Sequence, residues 1–539
     1  MPAAEPWLHL LGPVPQLRDP RPRVRRGGLP GAGRGAPAMT GSLQDVCQRL
    51  GLDPSALGRC TDLTPDTGEV TPGVCFIAVH GSRHDGHLLI GEALRRGATS
   101  VICDRARLSD VRTRNSPLPT GVALWPVDDS RVVERELAAA FFGHPSRDLR
   151  LTGITGTNGK TTSSMLIAAL EGALERRTAV VNTLGVLVDG VRRQFDRALP
   201  PPAALQRFLR DRRDDGHAGV VLECSSWALQ MERTTGVSFD RVLLTRLSRD
   251  HLDVHPDMES YARAKWRLVT QLADDGKPGA HLSLAADFPV PGSLPRGLPC
   301  LRFSLSDPAA DLSARPLALS STGSRFELLF HGQPAGQIHT NLPGMHNIEN
   351  ILGVLGLYPE LVQAQSRGEN TILSGDLFSA LSVDGRLEPV PHPRGVFVYV
   401  DYAHTPDALE TVLRTLASLH GDRLFTVFGC GGDRDREKRP MMGRIAARYS
   451  REVFVTSDNP RSEDPQEIIA QIIAGTAEQG ARVHAEPDRR AAIALALSRV
   501  GPGDVLLVAG KGHETEQVLK DRTLPFRDRT VLQEEIAKC

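Results

Sequence analysis

The stretch Gly153-Ile154-Thr155-Gly156-Thr157-Asn158-Gly159-Lys160-Thr161-Thr162 decides how this chain is read. It follows the apolar run Leu149 to Ile154 and precedes Met165, Leu166, Ala169, Leu170 and Leu174, apolar at helical spacing. A glycine-rich turn between a strand and a helix aims successive backbone N–H groups at phosphate oxygens. The helix N-terminus, the Lys160 ammonium and a Mg²⁺-binding Thr161 hydroxyl add to the attraction. Gly156, Thr157, Asn158, Gly159, Lys160, Thr161 and Thr162 are therefore read as an ATP site. The generic G-x-x-x-x-G-K-[ST] spacing is not met, because Ile154 holds the first glycine position.

Outward from this loop, short apolar runs alternate with helical patterns, as in chains that build parallel sheets from βαβ units. The runs end in polar or glycine-rich residues: Val74 to Val79 before His80, Val220 to Leu222 before Glu223, Val242 to Leu244 before Thr245, and Val396 to Val400 before Asp401. Leu424 to Phe428 precedes Gly429, Val453 to Val455 precedes Thr456 and Asp458, and Val505 to Ala509 precedes Gly510. Ligands of open α/β sheets bind beyond the carboxyl ends of strands, so these positions carry the candidate chemistry. Residues 275 to 340, richer in Pro and Ser, are read as irregular or peripheral.

The 539 residues suggest about three domains. Lys+Arg and Asp+Glu are both 64, which favours neither a nucleic-acid-binding sheath nor an acidic tail, so an anionic ligand must be held by local groups. With 40% hydrophobic and 24% charged residues the chain can fill several cores. No apolar run approaches the roughly 20 residues that span a bilayer. The 8 cysteines show no zinc spacing and are read as reduced thiols of a cytoplasmic protein. Residues 1 to 38, dense in Gly, Pro and Arg, are read as a disordered extension or a misassigned start before Met39, in preference to a targeting segment.

Two further positions are open to two readings. Glu223, at a strand end, either faces the phosphate loop and holds Mg²⁺ or is an exposed acid; His251, in Arg249-Asp250-His251-Leu252-Asp253, could approach the same metal. Lys265 falls on the apolar stripe of Met258, Tyr261, Leu268 and Leu272, where a lysine either snorkels to water or is specialised.

Together G-I-T-G-T-N-G-K-T-T, E-C-S-S, L-S-R-D-H-L-D-V-H, Y-A-R-A-K, G-M-H-N-I-E-N, D-G-R-L-E, D-Y-A-H-T-P-D-A-L, F-G-C-G-G-D-R-D-R-E-K-R-P, S-D-N-P-R and A-G-K-G-H-E, in that order, resemble the Mur ligases. The closest resemblance is to the branch that adds the third residue of the peptidoglycan stem peptide. It implies an α/β protein of three domains: a Rossmann-like UDP-precursor domain (39–146), a central P-loop ATPase domain with a parallel sheet (147–381), and a C-terminal Rossmann-like amino-acid domain (382–539). It implies a cytoplasmic ATP- and Mg²⁺-dependent amide ligase acting on small molecules, without nucleic-acid or membrane partners and with a monomer favoured.

Residue by residue, the resemblance gives Lys160 and Thr161 to the phosphates and first Mg²⁺, and Glu223 and His251 to the metals. It makes Lys265 a carbamylated lysine and places Asn347 and Asn350 near the nucleotide. Arg386, Asp401 and His404 reach in from the third domain, and Thr67, Ser225 and Arg233 match precursor-contacting positions. Asp458-Asn459-Pro460-Arg461 looks like the version found in ligases for meso-diaminopimelate, whose second carboxylate suits an arginine fork. Glu514 and Asp458 would accept from its distal ammonium, while Arg434, Asn459 and the Gly510 backbone orient it. L-Ornithine and L-lysine are the alternatives, and Arg461 could instead be a solvated residue paired with Glu463 or Asp464.

The sequence departs from the family pattern at Trp227, Arg246, Leu199-Pro200-Pro201 and Asp66-Thr67-Gly68. These departures motivate a second reading, a weakened paralogue that binds the precursor without efficient ligation. A generic phosphate-loop hydrolase is a third, which leaves the D-N-P-R and G-K-G-H-E segments unexplained.

Overall fold

The computed structural model describes residues 41–539 except 82, 83, 194–198, 253, 275, 276, 370, 371, 374–376, 380, 478 and 539. The expectation for residues 1 to 38 lies outside the described residues. The fold is α/β throughout, with a separate sheet in each of three domains.

The first sheet pairs Leu63–Thr64, Cys75–Ile77, Ser100–Asp104 and Ala123–Val127 in chain order, all parallel. The first three strands are buried on both sides, which explains their unbroken apolar runs, whereas the edge strand Ala123–Val127 is mostly half-buried.

The central sheet is built around the strand Arg150–Thr155, flanked by Gly219–Glu223 and Arg241–Leu244, both parallel to it. Thr178–Asn182 extends it on one side, followed by the antiparallel strands Gly185–Val188 and Val191–Arg193. On the other side His281–Ala285, Cys300–Phe303, Leu312–Ser320, Gly323–Phe330 and Gln333–Thr340 carry the sheet to eleven strands. Residues 275 to 340 are therefore not irregular, and that expectation is corrected. The last three strands are antiparallel hairpins at a sheet edge, and most of Leu312–Ser320 is solvated, so its Pro and Ser residues do not betray a strand.

In the third sheet Phe397–Asp401 lies beside Val505–Ala509, which is followed by Leu424–Phe428, Glu452–Val455 and Arg482–Ala485, all parallel; Glu388–Val390 closes one edge antiparallel. The order reverses between Phe397–Asp401 and Leu424–Phe428, with the last-made strand inserted between them. Such a reversal opens a crevice at the carboxyl ends. Apolar cores fill both faces of this sheet, and a fully buried Arg489–Asp528 pair at 2.7 Å ties helix Arg489–Arg499 to helix Asp528–Ile536.

The sheets are held together by polar contacts. Arg207, on helix Pro202–Asp214, pairs with Asp62 and Glu69 of the first domain. The third domain meets the central one through Arg192–Asp384 and Arg249–Glu437, both 2.6 Å, and through Asn158, whose amide donates to Asp407 at 2.9 Å.

Candidate active site

The phosphate loop takes the conformation its glycines permit. Gly156 and Gly159 have φ of 146° and 86°. A Cβ on Gly156 would lie 1.7 Å from Thr245 Oγ1, and one on Gly159 would lie 2.2 Å from Asn350 Oδ1, so neither position accepts a side chain. The loop is held from below: the Thr157 N–H donates to the Arg246 carbonyl, and Thr245 Oγ1 donates to the Asn158 carbonyl at 2.7 Å. Helix Lys160–Ala173 begins directly after it, with Thr162 buried in its first turn.

Both lysines converge on this loop. Lys160 Nζ donates to the Gly156 and Thr157 carbonyls at 3.1 and 2.8 Å, and Lys265 Nζ donates to the Gly156 carbonyl at 2.7 Å. Lys265 does not snorkel: it is 1% exposed, with its Nζ 4.3 Å from the centre of the Tyr261 ring. Burial, reinforced by the Lys160 charge, holds the Lys265 ammonium well below its ordinary pKa. Burial also lowers Lys160, against the opposing pull of Glu223 and Asp250.

Glu223 is 3% exposed and faces the loop, so the exposed-acid reading is set aside. It accepts from Thr161 Oγ1 at 2.8 Å, from Thr183 Oγ1 at 2.8 Å and from the Thr183 N–H at 3.1 Å. Arg386 reaches the same hydroxyl from the third domain, Nη2 lying 3.3 Å from Thr161 Oγ1, with its guanidinium 4.7 Å over the Tyr402 ring. Thr161, Glu223 and Arg386 are thus brought together.

His251 is differently placed. Its side chain is half exposed, lies 3.3 Å from Asp250 and meets Tyr261 edge-on, and its backbone is left-handed at φ 55°. Among the described residues no group of three or more His, Cys, Asp or Glu side chains is arranged to hold a metal ion. The oxygen-rich set of Thr161, Glu223 and Thr183 suits a hard divalent cation, and a carbamate on Lys265 would add a further oxygen.

Asn347 donates to the Pro343 carbonyl at 2.9 Å and accepts from Asn350 at 3.2 Å, which places Asn350 against the loop. Asp401 is buried, and its carboxylate accepts from the Leu387 and Ala403 N–H groups at 2.6 and 2.7 Å. It positions the Arg386 turn from behind. His404 Nδ1 donates to the Tyr402 carbonyl at 2.8 Å, and burial, with Lys438 nearby, pushes the imidazole down to about 4.

The precursor-matched residues are partly structural. Ser225 Oγ caps helix Ser226–Gln230 by accepting from the Ala228 N–H. Arg233 donates to the Leu199 carbonyl at 2.7 Å, tying the Leu199-Pro200-Pro201 segment in place. Thr67 opens the short helical turn Thr67–Glu69, half-buried.

A second cluster occupies the carboxyl ends of three neighbouring strands in the third domain. Arg461, at φ 53°, donates to the Gly432 carbonyl at 2.8 Å and lies against Gly431. The alternative pairing of Arg461 is absent: Glu463 instead binds Arg439 and Arg436, and Asp464 caps the next helix. Asn459 donates to Glu514 at 2.8 Å, and Asp458 Oδ2 would lie 2.8 Å from a Cβ on Gly510. Arg434 extends from the facing loop, donating to the Asp433 carbonyl. The Asp458 carboxyl stays below its ordinary range despite burial because Lys511 and Arg489 oppose that cost; Glu514 is raised by burial and by Asp458.

Sequence reasoning passed over Lys511, Thr183, Asp250 and Asp407. Lys511 is fully buried, and its Nζ donates to Asn459, Glu514 and the Glu516 carbonyl. Its signal was a lysine between two glycines at a strand end. Thr183 had the same kind of signal after Val180-Val181-Asn182. Asp407 has none, since its partner is on another domain.

Residues 154–358 match the Mur ligase middle domain and residues 385–512 the Mur ligase glutamate ligase domain. A UDP-N-acetylmuramoyl-L-alanyl-D-glutamate--2,6-diaminopimelate ligase of Syntrophomonas wolfei is 37% identical, over 87% of this chain and 93% of its own. The chain belongs to the Mur ligase family.

The ligase of the same name from Geobacter metallireducens is 39% identical over 86% of this chain and 91% of its own. A solved structure of a protein so named is 30% identical, with a TM-score of 0.58 over 89% of this chain and 95% of that one. The MurF ligase of Thermotoga maritima in complex with ADP shares the fold, with a TM-score of 0.61 at 20% identity. This Mur ligase contains no helix, among the described residues, long and apolar enough to cross a membrane.

Proposed function

We propose that the protein joins meso-diaminopimelate to the D-glutamate of UDP-N-acetylmuramoyl-L-alanyl-D-glutamate at the expense of ATP, supplying a cytoplasmic step of peptidoglycan precursor synthesis. The observation that carries this reading is the meeting of Thr161, Glu223 and Arg386 at one hydroxyl, with a separate arginine–carboxylate cluster on the Arg386 domain.

A carboxylate oxygen is a poor leaving group and phosphate a good one, so ATP first phosphorylates the γ-carboxylate. The incoming amine then attacks the acyl carbon, loses a proton and expels phosphate. The protein's work is placement and charge neutralisation. The loop N–H groups of Gly156 to Thr162 and the Lys160 ammonium hold the ATP phosphates. Arg386 brings positive charge to the transferred phosphoryl group when the third domain closes, which also excludes water.

Thr161, Glu223 and a carbamylated Lys265 would hold Mg²⁺, which would neutralise phosphate charge. The buried, neutral-leaning Lys265 amine suits carbamylation, since only the free base attacks carbon dioxide. Arg461 would take the distal carboxylate of meso-diaminopimelate, while Asp458 and Glu514 accept from its ammonium. Ser225, Arg233 and Thr67 border the precursor's path.

One departure from the family pattern, Arg246, has a structural role. Arg246 holds the loop through its backbone carbonyl, while its side chain pairs with Asp287 and Glu349. The function is tested by ADP and phosphate release: it is expected only when ATP, precursor and amino acid are all present. Release without the amino acid would support a hydrolase, and precursor binding without release a non-ligating paralogue.

A further inference from the structure

The turn Gly510-Lys511-Gly512-His513-Glu514, which follows the strand Val505–Ala509, carries a lysine to which the reaction above gives no task. The Lys511 side chain is 0% exposed, whereas that of Glu514 keeps 31% of its surface open. The turn folds back on itself, with the Glu514 N–H donating to the Lys511 carbonyl at 3.0 Å. Glu514 can therefore meet a ligand, and Lys511 lies behind it.

The three N–H donors of the Lys511 ammonium are all used inside the protein. Nζ donates to Asn459 Oδ1 at 3.0 Å, to Glu514 Oε2 at 2.8 Å and to the Glu516 carbonyl at 2.7 Å. None is left for a ligand, so Lys511 acts on one only through these partners.

Each partner is fixed in a particular way. Asn459 Oδ1 also accepts from the Val518 N–H at 2.9 Å, while its Nδ2 donates to Glu514 Oε2 at 2.8 Å, so the amide has one orientation. Glu514 Oε2 thus receives from both Lys511 and Asn459, and Oε1 takes no hydrogen bond from the described residues. The Glu516 carbonyl anchors the hairpin of Glu516–Val518 and Thr523–Pro525, whose Val518 carbonyl accepts from the Arg461 N–H at 3.1 Å. One buried charge ties Glu514, the Asn459–Arg461 segment and this hairpin together.

The same charge answers an electrostatic need. Burial, and then Asp458, raises the Glu514 carboxyl, while Lys511 and Arg489 hold the buried Asp458 below its ordinary range. Two neighbouring acids that are to receive a cation need a positive partner that leaves the receiving oxygen free.

We propose that Lys511 is a positioning residue of the amino-acid site, holding Glu514 Oε2 and the Asn459 amide so that Glu514 Oε1 is presented to the distal ammonium of the incoming diamino acid. This rests on the function proposed above. Arg461 then reads the distal carboxylate, and Lys511, through Glu514, the ammonium beside it.

The test is steady-state kinetics of the full chain in precursor-dependent phosphate release. Lys511→Met, which keeps the length of the side chain and removes its charge, is expected to raise KM for meso-diaminopimelate at least about tenfold while kcat stays within about threefold of the parent. KM for ATP and for the precursor is expected to be unchanged. KM is independent of the fraction of protein that is folded, so partial unfolding of the variant does not mimic this result. 2-Aminoheptanedioate, which keeps both carboxylates but lacks the second amine, is expected to be used equally by parent and variant. A parental KM for meso-diaminopimelate in Lys511→Met, an equal rise in KM for the amine-lacking analogue, or a fall in kcat with KM unchanged overturns the proposal. A crystal structure of the unmodified chain with meso-diaminopimelate gives a readout that needs no variant. The ammonium is expected on Glu514 Oε1 with Lys511 still on Oε2, and a ligand held directly by Lys511 overturns the proposal. A parent without activity on meso-diaminopimelate overturns the proposed function and this inference with it, whereas an active parent with an unaffected Lys511→Met overturns this inference alone.

Discussion

Lys265 shows how much one side chain's surroundings can decide. On the apolar stripe of helix Met258–Asp274 it has no water to reach, and burial beside Lys160 favours the neutral amine. Its folded pKa is depressed, so the neutral form persists at pH values where a free lysine is charged. Mass spectrometry under native conditions is expected to find one carbon dioxide added at Lys265, lost on acidification. Lys265→Ala is expected to remove most ligation, at least about tenfold or ~1.4 kcal/mol. Added short-chain carboxylates are expected to restore part of it; activity equal to the parent would show that Lys265 has no such role. The lysine was legible as an anomaly because a cation on an apolar stripe demands a reason. Lys511, equally buried, was less so, because its partners Asn459 and Glu514 converge only once two strand ends lie side by side.

At the scale of elements, strands ending in polar residues were readable where the strands are buried on both faces and therefore uniformly apolar. The edge hairpins of residues 312–340 were not, because one face is solvated and their patterns are broken by Pro and Gly. The strand–loop–helix unit around Gly156 is the most constrained element. Gly156→Ala places a Cβ against Thr245 in a backbone region that alanine avoids, and is expected to cost ~2 kcal/mol or more of loop integrity. The measurement is ADP affinity together with melting temperature. A fall in affinity of at least about tenfold with the fold retained is expected, whereas parental ADP affinity would show that the loop does not cradle phosphate.

Across the whole molecule, the proposed reaction depends on how the third domain meets the central one. Asn158–Asp407, Arg249–Glu437 and Arg192–Asp384 join the two domains together with the Arg386–Thr161 contact, and none of them was visible locally, since each joins distant segments. These are exposed or half-exposed pairs, so each contributes no more than about 1 kcal/mol to closure. Glu437→Ala is expected to lower kcat a few-fold, leave the melting temperature unchanged and weaken the dependence of kcat on salt. A lower melting temperature with unchanged kcat would place the pair in the fold and not in closure.

The role proposed for the cluster around Arg461 ties these scales to the choice of substrate. The most direct measurement is kcat/KM for meso-diaminopimelate, L-lysine and L-ornithine in the precursor-dependent phosphate-release assay, for the parent and for Arg461→Ala. The parent is expected to prefer meso-diaminopimelate, and Arg461→Ala to lower that value by at least about tenfold, ~1.4 kcal/mol, while leaving any lysine or ornithine activity nearly unchanged. A parent that prefers lysine or ornithine, or an Arg461→Ala protein that loses all three equally, would contradict the assignment.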